Sequence, residues 1–194
     1  MNHIENPNLA NTAGSNVAMI RHALADVVAL PLPPGHTLRG MQSAADIAAW
    51  THIQGESDPW NRVTDSLFRE QYGSNDILIA QRCLLLWDRD TPIGTIGAWF
   101  NPSYQGADAG RIHWVAIRPA WQGRGLAKPM LSAALAVLAR HHSRAYLHTQ
   151  SERLPAIRLY AQFGFQPHCT KPADTQIWAH IIEKLGPAWP HSPN

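Results

Sequence analysis

The chain is poor in cysteine, poor in charge, and free of long apolar runs. Its two cysteines, Cys83 and Cys169, make no disulfide framework and lack the paired spacing of a zinc site. They read as two partly buried thiols, and no metal is expected. Charged residues are only 15% of the 194, against about 25% in a typical globular protein, which excludes a disordered or supercharged chain. A net charge of +2, with no basic stripe or aromatic interleaving, argues against nucleic acid as a partner. No stretch of about 18 apolar residues is present, so no membrane span is expected. The opening MNHIENPNLANTAGSN has no charged-then-apolar signal pattern, and a cytoplasmic location follows by default. Two common nucleotide-binding signatures are also missing. There is no phosphate loop ending in Gly-Lys-Ser/Thr, and no GxGxxG followed by an acid about 20 positions on. Internal repeats and low-complexity blocks are absent.

What is present suffices for one folded domain. Apolar residues make up 45% of the chain, and the length fits a single unit. Residues 1–16, rich in Asn, Gly and Ser, read as a loose tail. Residues 17–186 read as one domain, and 187–194, dense in proline, as a second tail. Of the eight tryptophans, Trp50, Trp114 and Trp178 sit in apolar patterns and read as core. Trp60, Trp99 and Trp121 fall near element ends and are candidates to line a cleft. The pair His141-His142 reads as a helix C-terminal feature rather than a metal site.

The hydrophobic periods predict a strand near 36–41, then a helix capped by Ser43 and a second helix over 64–72. Strands follow at 83–88 and 93–100 around the turn DRDTP, and another at 111–118. A strongly apolar helix covers 125–141, a strand 145–150, and a helix 154–163 closed by Gly164. Ile177, Ile181 and Leu185 fit a terminal helix with Asp174 as its cap and Gly186 as its end. Hairpins followed by a strand–helix–strand crossover make a mixed sheet covered by helices, of α/β (α+β) type.

The chemistry concentrates in RIHWVAIRPAWQGRGLAKPMLSAAL, residues 111–135. A strand ends, a short turn follows, and Gly123 and Gly125 lead into a helix. Glycine lets backbone approach a bulky anion, and the free N–H groups and positive dipole end of a helix favour phosphate. Glycines alone also fit a tight structural turn.

The combination is more specific. Gln122-Gly123-Arg124-Gly125-Leu126-Ala127 resembles the Q/R-x-x-G-x-G/A motif of the GNAT superfamily of N-acetyltransferases. Val115-Ala116-Ile117-Arg118-Pro119 resembles the strand leading into that motif. Downstream, Ala156-Ile157-Arg158-Leu159-Tyr160 through Gly164-Phe165 resembles the second signature, A-I-x-L-Y-x-x-x-G-F. The resemblance covers roughly 36–170. It implies a GNAT-like, mostly antiparallel sheet flanked by helices, here with a C-terminal helix where many members have a long strand.

It also implies acetyl-CoA as donor. The backbone of Val115, Ala116 and Ile117 would hold the pantetheine arm. The stretch Gln122, Gly123, Arg124, Gly125, Leu126 and Ala127 would hold the pyrophosphate, with Arg124 or Lys128 as candidate extra charges. Tyr160 matches the tyrosine that protonates the departing thiolate; a phenol of pKa about 10 is a competent acid for that step. His113 shares a face with Val115 and Ile117 in a regular strand and is a candidate base, alongside Glu56, Asp58, Asp65 and Glu70. Many members carry Asn three residues before the alanine of the second signature. Here that position is Arg153, a candidate for a cofactor contact in its place. The function implied is acetyl transfer to the primary amine of a small molecule or peptide. A non-catalytic acyl-CoA-binding module and a purely structural glycine loop stay open, as does a homodimer.

Overall fold

The computed structural model describes residues 14–58 and 63–189. The expectations for residues 1–13, Trp60 and 190–194 lie outside the described residues. The strands are β1 (Asn16–Arg21), β2 (His36–Gly40), β3 (Cys83–Asp88), β4 (Thr91–Tyr104), β5 (Ala107–Ile117), β6 (Ala145–Gln150) and β7 (Gln166–Pro167). The helices are α1 (Ala44–Ser57), α2 (Asp65–Tyr72), α3 (Asp76–Arg82), α4 (Ala127–Ala139), α5 (Leu154–Gln162) and α6 (Pro172–Leu185). This is the mixed α/β composition with mostly antiparallel strands that the sequence implies. The terminal helix α6 is present. The chain divides into two compact units, residues 22–145 and a unit made from 1–21 with 146–194.

In the 22–145 unit the strands run in order β2-β3-β4-β5, every neighbour antiparallel. The local chemistry of its helices is plain. Ser43 caps α1 through a capping box with Asp46, whose carboxylate accepts from the backbone of Gln42 and Ser43. Thr64 caps α2 and Asn75 caps α3, each accepting from the backbone three residues on. Trp50, Ile53, Phe68 and Tyr72 project from α1 and α2 into one core cluster with Met41, Cys83 and Leu85. Trp50 meets Phe68 edge-on at 5.2 Å and Tyr72 at 6.2 Å. Each such side chain, fully buried, contributes about 1.5–3 kcal/mol. Burial pushes the Cys83 thiol well above its ordinary range, in keeping with a structural cysteine.

In the other unit β1 lies between β6 and β7 and is antiparallel to β7. Helix α5 begins with Pro155 in its first turn and ends at Gly164, in the left-handed region at φ +78°. The guanidinium of Arg21 donates to the Phe163 carbonyl at 2.6 Å and holds that end. Asp174 sits at the third position of α6 rather than at its cap. Its carboxylate accepts from the backbone of Thr170 and Lys171 and so secures the helix start from inside the first turn. Trp178 is 2% exposed, as its pattern implies, and Trp189 packs against it at 6.2 Å.

Three expectations are corrected. Asn16 opens strand β1 and does not belong to a loose tail; Val17 and Met19 are buried on alternate positions. Helix α3 occupies Asp76–Arg82, where no element is expected. Gly186–Ala188 forms a 3-10 turn, which runs into the stretch expected to be irregular.

Candidate functional site

The 22–145 unit carries an irregular strand followed by a loop of unpaired amides. In β5, His113 pairs with Gly97 and Ala116 with Thr95. One residue of β4, Ile96, therefore faces two of β5, Trp114 and Val115. This is a bulge with Trp114 in the left-handed region at φ +47°. A non-glycine residue there costs roughly 1–2 kcal/mol, and surrounding contacts hold it. The Gln54 side-chain amide donates to the Trp114 carbonyl at 2.8 Å. The Trp114 indole N–H donates to Gln71 Oε1 at 3.2 Å. His113 Nε2 lies 2.9 Å from the same oxygen. The Trp114 ring meets Trp50 edge-on at 5.3 Å. Opposite the bulge, Gly97 leaves room for Tyr72; a Cβ at that position would lie 2.6 Å from the Tyr72 hydroxyl.

The bulge corrects two expectations. His113 does not share a face with Val115 and Ile117. Its register partner Gly97 lies two residues from Thr95, the partner of Ala116, so His113 and Ala116 share a face instead. Trp114 is only partly buried, packed on the rim of the core cluster.

Beyond Ile117 the chain makes a 3-10 turn, Pro119–Trp121, and a loop into α4. Gly123 and Gly125 both have left-handed φ, +74° and +76°, and a Cβ on either would meet nothing within 4 Å. Among the described residues, no hydrogen bond takes the backbone N–H of Gly123, Arg124, Gly125 or Leu126. Ala127 and Lys128 open α4, where amides have no intrahelical partner. The helix has no side-chain cap. Leu126 is 2% exposed and anchors the loop. The result is a run of unpaired amides at the positive end of a 13-residue helix, the arrangement a pyrophosphate needs.

Side chains brace this loop. Gln122 donates to the Ile117 carbonyl at 2.7 Å, and Arg124 to that of Ala120 at 2.8 Å. Trp121 donates its indole N–H to Asp88 at 3.1 Å, with Arg118 lying over its ring. Lys128 is exposed on the first turn of α4.

Sequence reasoning left four acids as alternative bases. Glu56 is forked onto Arg118 at 2.8 and 3.1 Å and contacts His52 at 3.0 Å. The Arg118 hydrogen bond holds its carboxyl below the ordinary range. Asp65 accepts from the Thr51 hydroxyl at 2.6 Å. Asp58 is buried at the end of α1, and Glu70 is exposed on α2.

The pair His141-His142 lies past the end of α4. His142 Nδ1 contacts Asp108 at 2.6 Å and its Nε2 lies 3.1 Å from Arg82, so the pair does more than answer the helix dipole. No cluster of metal-ligating side chains occurs among the described residues.

In the second unit Tyr160 lies on the buried face of α5, 7% exposed, with its ring edge-on to Phe165 at 6.1 Å. Burial pushes its pKa up to about 12, and the positive charge of Arg153 opposes that rise. Among the described residues no hydrogen bond engages its hydroxyl, whereas its carbonyl accepts from Phe163 and Phe165 at 3.0 and 3.1 Å. Arg153 is the N-cap residue of α5 without capping it by side chain.

The chain is similar to known proteins. Residues 45–165 match the profile described as Acetyltransferase (GNAT) family, and the chain belongs to that family. A stretch of 80 residues is 40% identical to the mycothiol acetyltransferase of Nocardioides sp. (strain ATCC BAA-499 / JS614), covering 41% of this chain and 26% of that protein. The fold resembles a GCN5-related N-acetyltransferase from Sphaerobacter thermophilus, with TM-score 0.68 and 22% identity over 81% of this chain and 50% of that one. It also resembles Arabidopsis thaliana Naa50 in complex with the bisubstrate analogue CoA-Ac-MVNAL, with TM-score 0.55 and 21% identity over 68% of this chain and 83% of that one. The chain thus spans about a quarter of the curated relative and half of the Sphaerobacter chain. No helix among the described residues is long and apolar enough to cross a membrane.

Proposed function

We propose that residues 17–186 form an acetyl-CoA-dependent N-acetyltransferase domain that acts, in the cytoplasm, on the primary amine of a small molecule or peptide. The observation that carries this reading is the run of unpartnered amides from Gly123 to Leu126 at the uncapped start of α4, in a chain of the GNAT family. Those amides, with Gln122 and Ala127, fit the pyrophosphate of CoA; the open space over both glycines leaves room for it. The backbone of Val115, Ala116 and Ile117 is assigned to the pantetheine arm, and Arg153 to a further contact with the donor.

The bound donor supplies a thioester, whose acyl carbon the amine attacks. Everything else falls to the chain. Backbone N–H in β5 beyond the bulge offers charge stabilisation to the carbonyl oxygen. His113 takes the proton that the amine gives up. Its Nε2 lies 2.9 Å from Oε1 of Gln71, which orients the ring. Tyr160 returns a proton to the departing sulfur from its hydroxyl. A phenol is protonated at neutral pH, the state that an acid requires.

Thermal unfolding with acetyl-CoA, CoA and ATP tests the donor site. Ligand at about 100 times its dissociation constant adds roughly 2.7 kcal/mol, a rise of about 5 to 11 °C for a domain of this size. The expected result is a shift with both CoA species and none with ATP. No shift at millimolar acetyl-CoA overturns the reading.

A further inference from the structure

We propose that Gln54 and Gln71 are positioning residues, which hold the bulge of β5 in the shape that presents the backbone from Val115 to Ile117. The proposal rests on the assignment of that backbone to the donor.

In a regular strand neighbouring residues point to opposite faces. Here the side chains of His113 and Trp114, adjacent in sequence, both reach one atom, Oε1 of Gln71, at 2.9 and 3.2 Å. The left-handed turn at Trp114 accompanies this shared contact. The bulge and the Gln71 contact are therefore coupled.

Gln54 gives a second, independent sign. It is 2% exposed, and a buried side-chain amide is unfavourable unless bonded. Its N–H donates to the carbonyl of the same strained residue. Gln54 lies one helical turn beyond Trp50 on α1, and Trp50 packs on the ring of Trp114. Helices α1 and α2 thus grip Trp114 by carbonyl, ring and indole N–H. Releasing the grip loosens the bulge, so that residues 115–117 pair less steadily with β4 and no longer present one fixed backbone surface.

The test uses the full chain. Gln71→Leu removes the shared acceptor, Gln54→Met removes the donor, and Gln71→Glu keeps an oxygen at position 71. Hydrogen exchange at the amides of 115–117 reads the bulge, and calorimetric titration with CoA reads the donor site. For Gln71→Leu and Gln54→Met, exchange at 115–117 rises at least about tenfold while β3 and α4 stay protected. CoA affinity falls about tenfold in the same variants and stays within about threefold in Gln71→Glu. If Gln71→Leu does not fold, Gln71→Asn withdraws the oxygen by one methylene and carries the same comparison. Folded variants with unchanged exchange overturn the proposal, as does raised exchange with unchanged CoA affinity. Failure of the unmutated protein to bind CoA overturns the donor assignment itself, and is seen without any variant.

Discussion

His113 Nε2 lies 2.9 Å from Oε1 of Gln71, and the identity of that oxygen is fixed by a neighbour. An indole N–H can only donate, so the Gln71 atom facing Trp114 Nε1 at 3.2 Å must be the carbonyl oxygen. That oxygen in turn requires a hydrogen on His113 Nε2. The neutral imidazole is thereby set to one tautomer, with its lone pair on Nδ1. A glutamine on α2 thus decides the tautomer of a β5 histidine.

This fixes a prediction for Gln71→Glu. A carboxylate beside an imidazole favours the charged form and raises its pKa. If His113 accepts the amine's proton, the acid limb of the kcat/KM profile moves to higher pH by about one unit. The shift is read from rates between pH 5 and 9 at saturating acetyl-CoA. An unmoved limb in an active variant removes His113 from the proton transfer.

Glu56 has the opposite standing. Arg118 grips both its oxygens and lowers its pKa, so at neutral pH it is ionised and engaged. Glu56→Gln is expected to keep turnover within about threefold, well short of the 100-fold or greater loss that follows removal of a general base. Steady-state rates at pH 7.5 decide the matter, and a large loss would restore Glu56 as a candidate.

The parts of the fold that the sequence made legible are those with local causes. Ser43 and Thr64 cap helices wherever they precede an apolar period, and Gly123, Gly125 and Gly164 mark turns through backbone freedom. The bulge at Trp114 was hidden because it exists only in the pairing register between β4 and β5, and nothing in HWVAI announces an extra residue. The role of Gln71 was hidden for the same reason, since it depends on that bulge. Helix α3 was masked because its apolar residues Ile77, Leu78 and Ile79 run close to those of β3. The Asn75 cap was the available signal. Strand β1 carries little sequence signal: Val17 and Met19 alternate, but they directly follow a polar stretch.

Gly125→Glu tests the amide loop. The position has φ +76° and open space beyond its α-carbon, so the side chain fits but the backbone is strained by roughly 1–2 kcal/mol. The melting temperature should fall by about 2 to 8 °C, leaving a folded protein. A carboxylate placed among amides meant for phosphate should weaken CoA binding at least about 100-fold, a change of some 2.7 kcal/mol. Titration calorimetry on the folded variant checks this. Unchanged affinity would reduce the loop to a structural turn.

Tyr160→Phe separates chemistry from binding and from stability. The ring stays in place against Phe165 and only the hydroxyl is lost, so acetyl-CoA affinity should hold while kcat falls by about 100-fold or more. Equal turnover removes Tyr160 from the reaction. The same variant has a signature at high pH. Burial raises the phenol from its ordinary pKa to about 12 in the folded chain, whereas the unfolded chain ionises near pH 10. The folded state therefore keeps a proton that the unfolded state gives up. Stability is whole below about pH 10 and is lost as the pH rises towards 12, by up to about 3 kcal/mol from this group. Tyr160→Phe lacks that proton and should lose less stability over the same window. Urea unfolding at pH 8 and pH 11 measures the difference, and equal losses in the two proteins would mean that the phenol is not held protonated by the fold.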